Sequence, residues 1–217
     1  MTTMRSLSKY KAIVFDLGGT LMEYEGMPLD WSVYYPNGFR NIITSQDLSV
    51  SEMEIIRASE IMRYYNPRYS HREVEYTPER IFTYAVEDWR DKPDIKNAVN
   101  EFFEGIELRP KIYDYTIDLL DRCSSRGLKT ACLTDLPNGM PDRIFKKAIT
   151  NITGKLDLYV SSQNCGYRKP NKAGLVIIAD KFKVDIKDVL FVGDEKKDRL
   201  TAYNAGCDFM YINEVLR

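Results

Sequence analysis

Asp16 closes the apolar run AIVFD and is followed at once by the tight turn Leu17-Gly18-Gly19-Thr20. Three later segments set further polar groups beside apolar runs: TACLT ending on Thr134, GYRKP carrying Lys169, and VLFVGDEKKD carrying Asp194 and Asp198. A phosphomonoester requires such a set, because its own charge repels nucleophiles and its transition state spreads charge over the equatorial oxygens. In that chemistry Asp16 is the anionic nucleophile and forms an aspartyl phosphate. Asp194 holds Mg²⁺, which prefers hard oxygen ligands, and the Gly18 carbonyl is a further candidate ligand. Thr134 donates its hydroxyl to a phosphoryl oxygen, and Lys169 neutralises charge around the nucleophile. Taken singly, each has a plainer reading: Asp16 as a turn cap, Thr134 as a turn hydroxyl, Lys169 as a solvated charge, Asp194 and Asp198 as helix caps. Their conjunction, each beside a strand end, favours one shared site.

Positioning these groups requires strands whose carboxyl ends meet. Short apolar runs at Ala12–Phe15, Leu128–Leu133, Leu158–Ser161, Val189–Val192 and Phe209–Ile212 predict a mainly parallel sheet, since helical patterns separate those in the second half of the chain. Helices are expected over Lys111–Arg126, between Pro110 and Gly127, from Asn171 to about Phe182, and over Asp198–Ala205 before Gly206. The stretch from about Met22 to Leu108 is instead helical and aromatic. Ser51 and Glu54 form a capping box there, with Val50 and Ile55 as a hydrophobic staple before Ile56, Ser59 and Met62. Thr77-Pro78 opens a helix through Ile81, Phe82, Ala85, Val86 and Trp89, and Ile95, Val99, Phe102 and Phe103 mark another beyond Pro93. The expected architecture is a three-layer α/β core with a Rossmann-like parallel sheet, residues 1–22 and 109–217, interrupted by a helical cap, residues 23–108.

The 217 residues carry a formal net charge of −1 with acids and bases intermixed, which argues against nucleic acid or an anionic membrane as partner. Cys123, Cys132, Cys165 and Cys207 are scattered, with only His71 to join them in a metal site, and read as free thiols of a reducing compartment. The opening MTTMRSLSKYK lacks a signal-peptide core, and no run approaches a membrane span, so a soluble cytoplasmic protein is expected.

With FDLGGTL, CLTD, GYRKP and FVGDEKKD in this order, the chain resembles the haloacid dehalogenase-like hydrolases. That resemblance implies a Rossmann-like core, an inserted first-type helical cap, and most often a Mg²⁺-dependent phosphatase, with some dehalogenases and mutases. It implies Asp16 as nucleophile and metal ligand, and Thr134 and Lys169 as phosphate-holding and charge-steadying residues. Asp194 and Asp198 complete the metal site, Asp198 alternatively anchoring Lys169. One position departs: Gly18 stands where the family's phosphatases usually carry the aspartate that acts as general acid and base. Glu195 and His71 are possible substitutes, and a dehalogenase, or a phosphate-binding regulatory protein with reduced catalysis, are the alternatives. The expected partner is a small phosphorylated molecule. Tyr24, Trp31, Tyr34, Tyr35 and Phe39 are candidates to line the mouth of the site, as are the basic and aromatic residues Arg63, Tyr64, Tyr65, Arg68, Tyr69 and Arg72.

Overall fold

The computed structural model describes residues 7–217, so residues 1–6 of the stretch read as core lie outside the described residues. In chain order the strands are β1 (Ala12–Phe15), β2 (Met22–Tyr24), β3 (Pro110–Ile112), β4 (Lys129–Thr134), β5 (Leu158–Ser161), β6 (Val189–Gly193) and β7 (Asp208–Tyr211). Five of them form one parallel sheet in the order β5-β4-β1-β6-β7. The pleat sends Ile13, Phe15, Cys132, Leu190 and Val192 to one face. Ala12, Val14, Ala131, Leu133, Val189 and Phe191 go to the other. Burial on both faces removes the polar alternation of a solvated strand, which is why β1 reads as an unbroken apolar run.

Helices cover both faces. Between β2 and β3 lie α1 (Tyr35–Gln46), α2 (Glu52–Tyr64), α3 (Pro78–Ala85) and α4 (Ile95–Glu104). Later come α5 (Thr116–Ser124), α6 (Asp142–Ala148), α7 (Ala173–Phe182) and α8 (Lys196–Ala205). Leu119, Leu120 and Cys123 of α5 pack on the Phe15 face. Leu175 and Ile178 of α7 and Ala202 of α8 pack on the Val14 face. The resulting helix–sheet–helix sandwich is the α/β class that the spacing predicts. The Phe15-side core runs on without a break into Phe39, Phe82, Trp89 and Phe102 of the inserted helices.

Local signals held where caps decide them. Ser51 and Glu54 close a capping box, the Ser51 N–H donating to Glu54 Oε2 at 2.8 Å, and Thr77 Oγ1 accepts the Arg80 N–H at 3.3 Å. One expectation is corrected. The helix expected over Lys111–Arg126 covers only Thr116–Ser124, and Pro110–Ile112 instead pairs antiparallel with Met22–Tyr24. Proline's fixed φ suits an edge strand as well as a helix start, and a partner some ninety positions away settled the choice. On α2 the buried face is Ile55, Ala58 and Met62, leaving Ile56 43% exposed. The four cysteines are free, and among the described residues no helix is long and apolar enough to cross a membrane.

Candidate active site

The carboxyl ends of β1, β4 and β6 open into a cleft of about 490 Å³ at the place where the connections from the sheet leave in opposite directions. Asp16, Gly18, Thr134, Lys169 and Asp194 all line it. The Asp16 N–H donates to the Val192 carbonyl at 2.8 Å, extending the β1–β6 pairing one residue past the strand and fixing the carboxylate at its tip. Lys169 Nζ lies 2.7 Å from Asp16 Oδ1 and 2.6 Å from Asp198 Oδ1. Asp198 Oδ2 accepts the Glu195 N–H at 2.9 Å and the Asp194 N–H at 3.2 Å, so a fully buried carboxylate holds both the lysine and the loop that presents Asp194. Thr20 Oγ1 donates to Asp194 Oδ1 at 3.2 Å.

Two glycines shape the turn differently. Gly19 has φ +78°, and a Cβ there would stand 2.2 Å from Asp194 Oδ2, so only glycine lets the chain pass beneath that carboxylate. A Cβ on Gly18 would meet nothing within 4 Å.

Burial pushes the Asp16 carboxyl up to about 7; the Lys169 ammonium opposes that rise, and the nearby Asp198 charge adds to it. Asp194 is likewise raised, by burial and then by Asp198 and Glu195. Burial disfavours the Lys169 charge, but Asp16, Asp198 and Asp135 outweigh it and hold the ammonium protonated. The acids thus outnumber the cation that faces them. Oxygens of Asp16, Asp194 and Asp198 lie within 4.8 Å of one another, and this all-oxygen donor set fits a hard divalent cation. Because Asp198 already serves Lys169 and two N–H groups, Asp16 and Asp194 are the carboxylates turned to the cleft.

Replacing Lys169 by methionine strands two buried carboxylates and is expected to cost about 3–5 kcal/mol of stability. Urea unfolding of the cation-free protein measures this; a loss below about 1 kcal/mol would mean the triad is not a buried ion cluster.

Several residues of the site were not legible in sequence. Asp135 Oδ1 accepts the Lys169 N–H at 3.0 Å, and Lys197 Nζ stands 3.6 Å from its Oδ2. Burial raises its carboxyl, yet Arg168, Lys169 and Lys197 together hold it below its usual value. Arg168 is buried, pairs with Glu75 and donates from Nη2 to the Leu136 carbonyl at 2.9 Å. Its neighbour Lys169 carried the only signal in GYRKP, since an isolated arginine reads as surface.

Glu195 contacts Arg68 at 3.2 Å and Lys197 at 3.0 Å. Against the effect of burial, these two cations hold its carboxyl below the usual range, which makes it a poor proton donor. His71 lines the cleft and is exposed. Tyr24, Trp31 and Tyr35 line it as expected, whereas Phe39 is wholly buried against Phe82, Trp89 and Phe102 and Tyr34 packs on the same core. An aromatic at helical spacing was sent to the core by the large apolar area it buries. Arg68 and Arg72 reach the cleft, while Arg63 lies 4.0 Å over the Tyr69 ring and Tyr64 is exposed.

The family model of the haloacid dehalogenase-like hydrolases matches residues 10–206. The chain is 25% identical over 203 residues to a phosphoglycolate phosphatase of Aliivibrio fischeri, covering 91% of this chain and 81% of the relative. It is 22% identical over 215 residues to a phosphoglycolate phosphatase of Mannheimia succiniciproducens, covering 92% and 84%. Among solved structures, the 2-haloacid dehalogenase from Pseudomonas syringae pv. Tomato DC3000 superposes with a TM-score of 0.65 at 19% identity, over 93% of this chain and 86% of the other, a likeness of fold.

Proposed function

Because this chain belongs to the haloacid dehalogenase-like hydrolases, we propose that it is a Mg²⁺-dependent phosphomonoester hydrolase acting on a small phosphorylated molecule through an aspartyl phosphate on Asp16. One observation carries the reading: the Asp16 carboxylate faces the cleft 2.7 Å from Lys169 Nζ, with the Asp194 oxygens close enough to share a cation. The names of the curated relatives support phosphate-ester hydrolysis over dehalogenation.

In this reading Asp16, Asp194 and the Gly18 carbonyl hold Mg²⁺, which when bound screens the repulsion between carboxylate and phosphate. Asp16 attacks phosphorus, the ester oxygen departs, and water then hydrolyses the acyl phosphate. Thr134 and Lys169 hold the phosphoryl oxygens, and Asp198 acts as the anchor of Lys169 rather than as a ligand. Residues 1–22 and 109–217 form the catalytic core, and residues 23–108 are the cap that shields the cleft from water. Metal-dependent turnover of an activated aryl phosphate, and of phosphoglycolate, tests the reading. No turnover across a broad panel of phosphate esters with Mg²⁺ bound would overturn it. The missing Gly18 carboxyl favours one second reading, a phosphate-binding protein with reduced catalysis, which predicts saturable binding of a phosphate ester without matching turnover.

The cation should stabilise the fold more as pH rises. In the folded, cation-free protein the Asp16 carboxyl sits at about 7, against 3.8 for an ordinary aspartate. Across that window the unfolded chain releases a proton that the folded one retains, so stability without cation falls as pH climbs and the loss is complete above about 7. Mg²⁺ takes the ionised carboxylate, so its apparent affinity drops up to about tenfold per pH unit below that point. The gain in Tm on adding millimolar Mg²⁺ is expected to be larger at about pH 8 than at about pH 6. Equal gains would remove Asp16 from the cation site.

A further inference from the structure

We infer that Glu75, a residue of the inserted helical region, is a positioning residue for Lys169 and Thr134, acting through Arg168; the inference rests on the phosphatase reading for the roles of those two residues. Besides the two chain crossings at β2 and β3 and the shared core, the insertion touches the sheet domain directly beside the catalytic lysine. Val74 and Tyr167 form an antiparallel bridge, flanked by the Glu75 N–H donating to the Gly166 carbonyl at 2.9 Å and the Arg168 N–H donating to the Glu73 carbonyl at 2.7 Å. Asn171 Nδ2 adds a bond to Glu73 Oε2 at 3.1 Å.

The side chains lock this bridge. The Glu75 side chain is 5% exposed and spans two arginines, Arg72 at 2.8 Å through Oε1 and Arg168 through Oε2. Arg72 in turn holds the Val74 and Tyr65 carbonyls at 2.7 and 3.2 Å. Arg168 reaches the Leu136 carbonyl, two residues beyond Thr134, and the next residue, Lys169, is tied by its own N–H to Asp135. One guanidinium therefore joins the loop after Thr134 to the loop that carries Lys169. Arg168 Nε is the one buried side-chain nitrogen or oxygen among the described residues without a partner, so its place depends on the remaining bonds, and the only charged one is to Glu75. Removing that charge would leave the buried Arg168 and the partly buried Arg72 without the carboxylate they share.

A cap bonded next to Lys169 and sharing an unbroken core with the sheet is expected to stay in place during turnover, so that the cleft fills through its rim instead of by a swing of the whole insertion.

Glu75→Gln keeps the shape and removes the charge. At a temperature where the variant is fully folded, its kcat on an aryl phosphate is expected to fall about 10- to 100-fold with little change in KM. Hydrogen exchange of the amides of residues 166–169 should accelerate at the same time. A lowered Tm with kcat per folded molecule unchanged, or exchange unchanged at those amides, would overturn the inference. Should the wild type turn over no ester, the phosphatase reading fails, and the exchange at residues 166–169 still decides whether Glu75 holds the Lys169 loop. A second variant probes permanence: Val74→Cys with Tyr167→Cys, in a Cys165→Ser background, oxidised to a disulfide across two exposed bridge positions. Activity retained on oxidation and unchanged on reduction supports a staple that persists through the cycle, and activity lost on oxidation and restored on reduction would refute it.

Discussion

Gly18→Asp is expected to raise kcat on unactivated phosphate esters by about 10²–10⁴-fold, the usual worth of a positioned general acid and base. The space for it exists: a Cβ at this position meets nothing within 4 Å, the residue is exposed, and it lines the same cleft as Asp16, two positions earlier. Two cleft carboxylates that could take the part are already engaged. Asp135 is held by Lys169 and Lys197, and Glu195 by Arg68 and Lys197, both kept below their usual range and so ionised at neutral pH. The gain should grow as the leaving group becomes more basic, being small for an aryl phosphate and large for an alkyl one, because only a poor leaving oxygen needs the proton. Gly18→Asn, equal in size and unable to transfer a proton, should show no such gain. Steady-state kinetics on a leaving-group series makes the comparison, and an equal response to aspartate and asparagine would mean that something other than proton transfer limits the enzyme.

Asp16→Asn should lower kcat by at least about 10⁴-fold, since it removes the proposed nucleophile and leaves only binding and electrostatic stabilisation. The same substitution should not harm the fold. A buried carboxylate pushed up to about 7 opposes folding at higher pH, and the neutral amide relieves that burden while Asp198 still holds Lys169. At about pH 8 without cation, the variant is therefore expected to be at least as stable as the wild type, while gaining less from Mg²⁺. Mass spectrometry of acid-quenched turnover should find phosphate on Asp16 in the wild type alone. A variant that keeps its activity would remove Asp16 from the chemistry altogether. Stability and activity should therefore move in opposite directions in this variant, as where a site concentrates charge for function.

Much of this architecture is written locally. Strands buried on both faces announce themselves as apolar runs, and Ser51, Thr77 and Gly206 mark helix ends through bonds made within a few residues. For the same reason the ends of β4 and β7 differ by only one position from those expected. The ribbon of Met22–Tyr24 with Pro110–Ile112 was invisible, because neither half carries a strand signal strong enough without the other. Phe39, a candidate for the mouth of the site, lies in the core instead, since a helix rotated by one residue turns about 100° and moves a side chain from one surface to another.

What the sequence determined by itself is the sheet, the helical insertion and the chemical character of Asp16, Thr134, Lys169, Asp194 and Asp198, because residue type and strand-end placement are local properties. Only the tertiary structure decided which carboxylate faces the cleft and which anchors the lysine, how far burial raises Asp16, and that Glu75 and Arg168 bind the insertion to the Lys169 loop. Those outcomes depend on desolvation and on charges brought together from distant parts of the chain, quantities that have no value until the chain has closed around them.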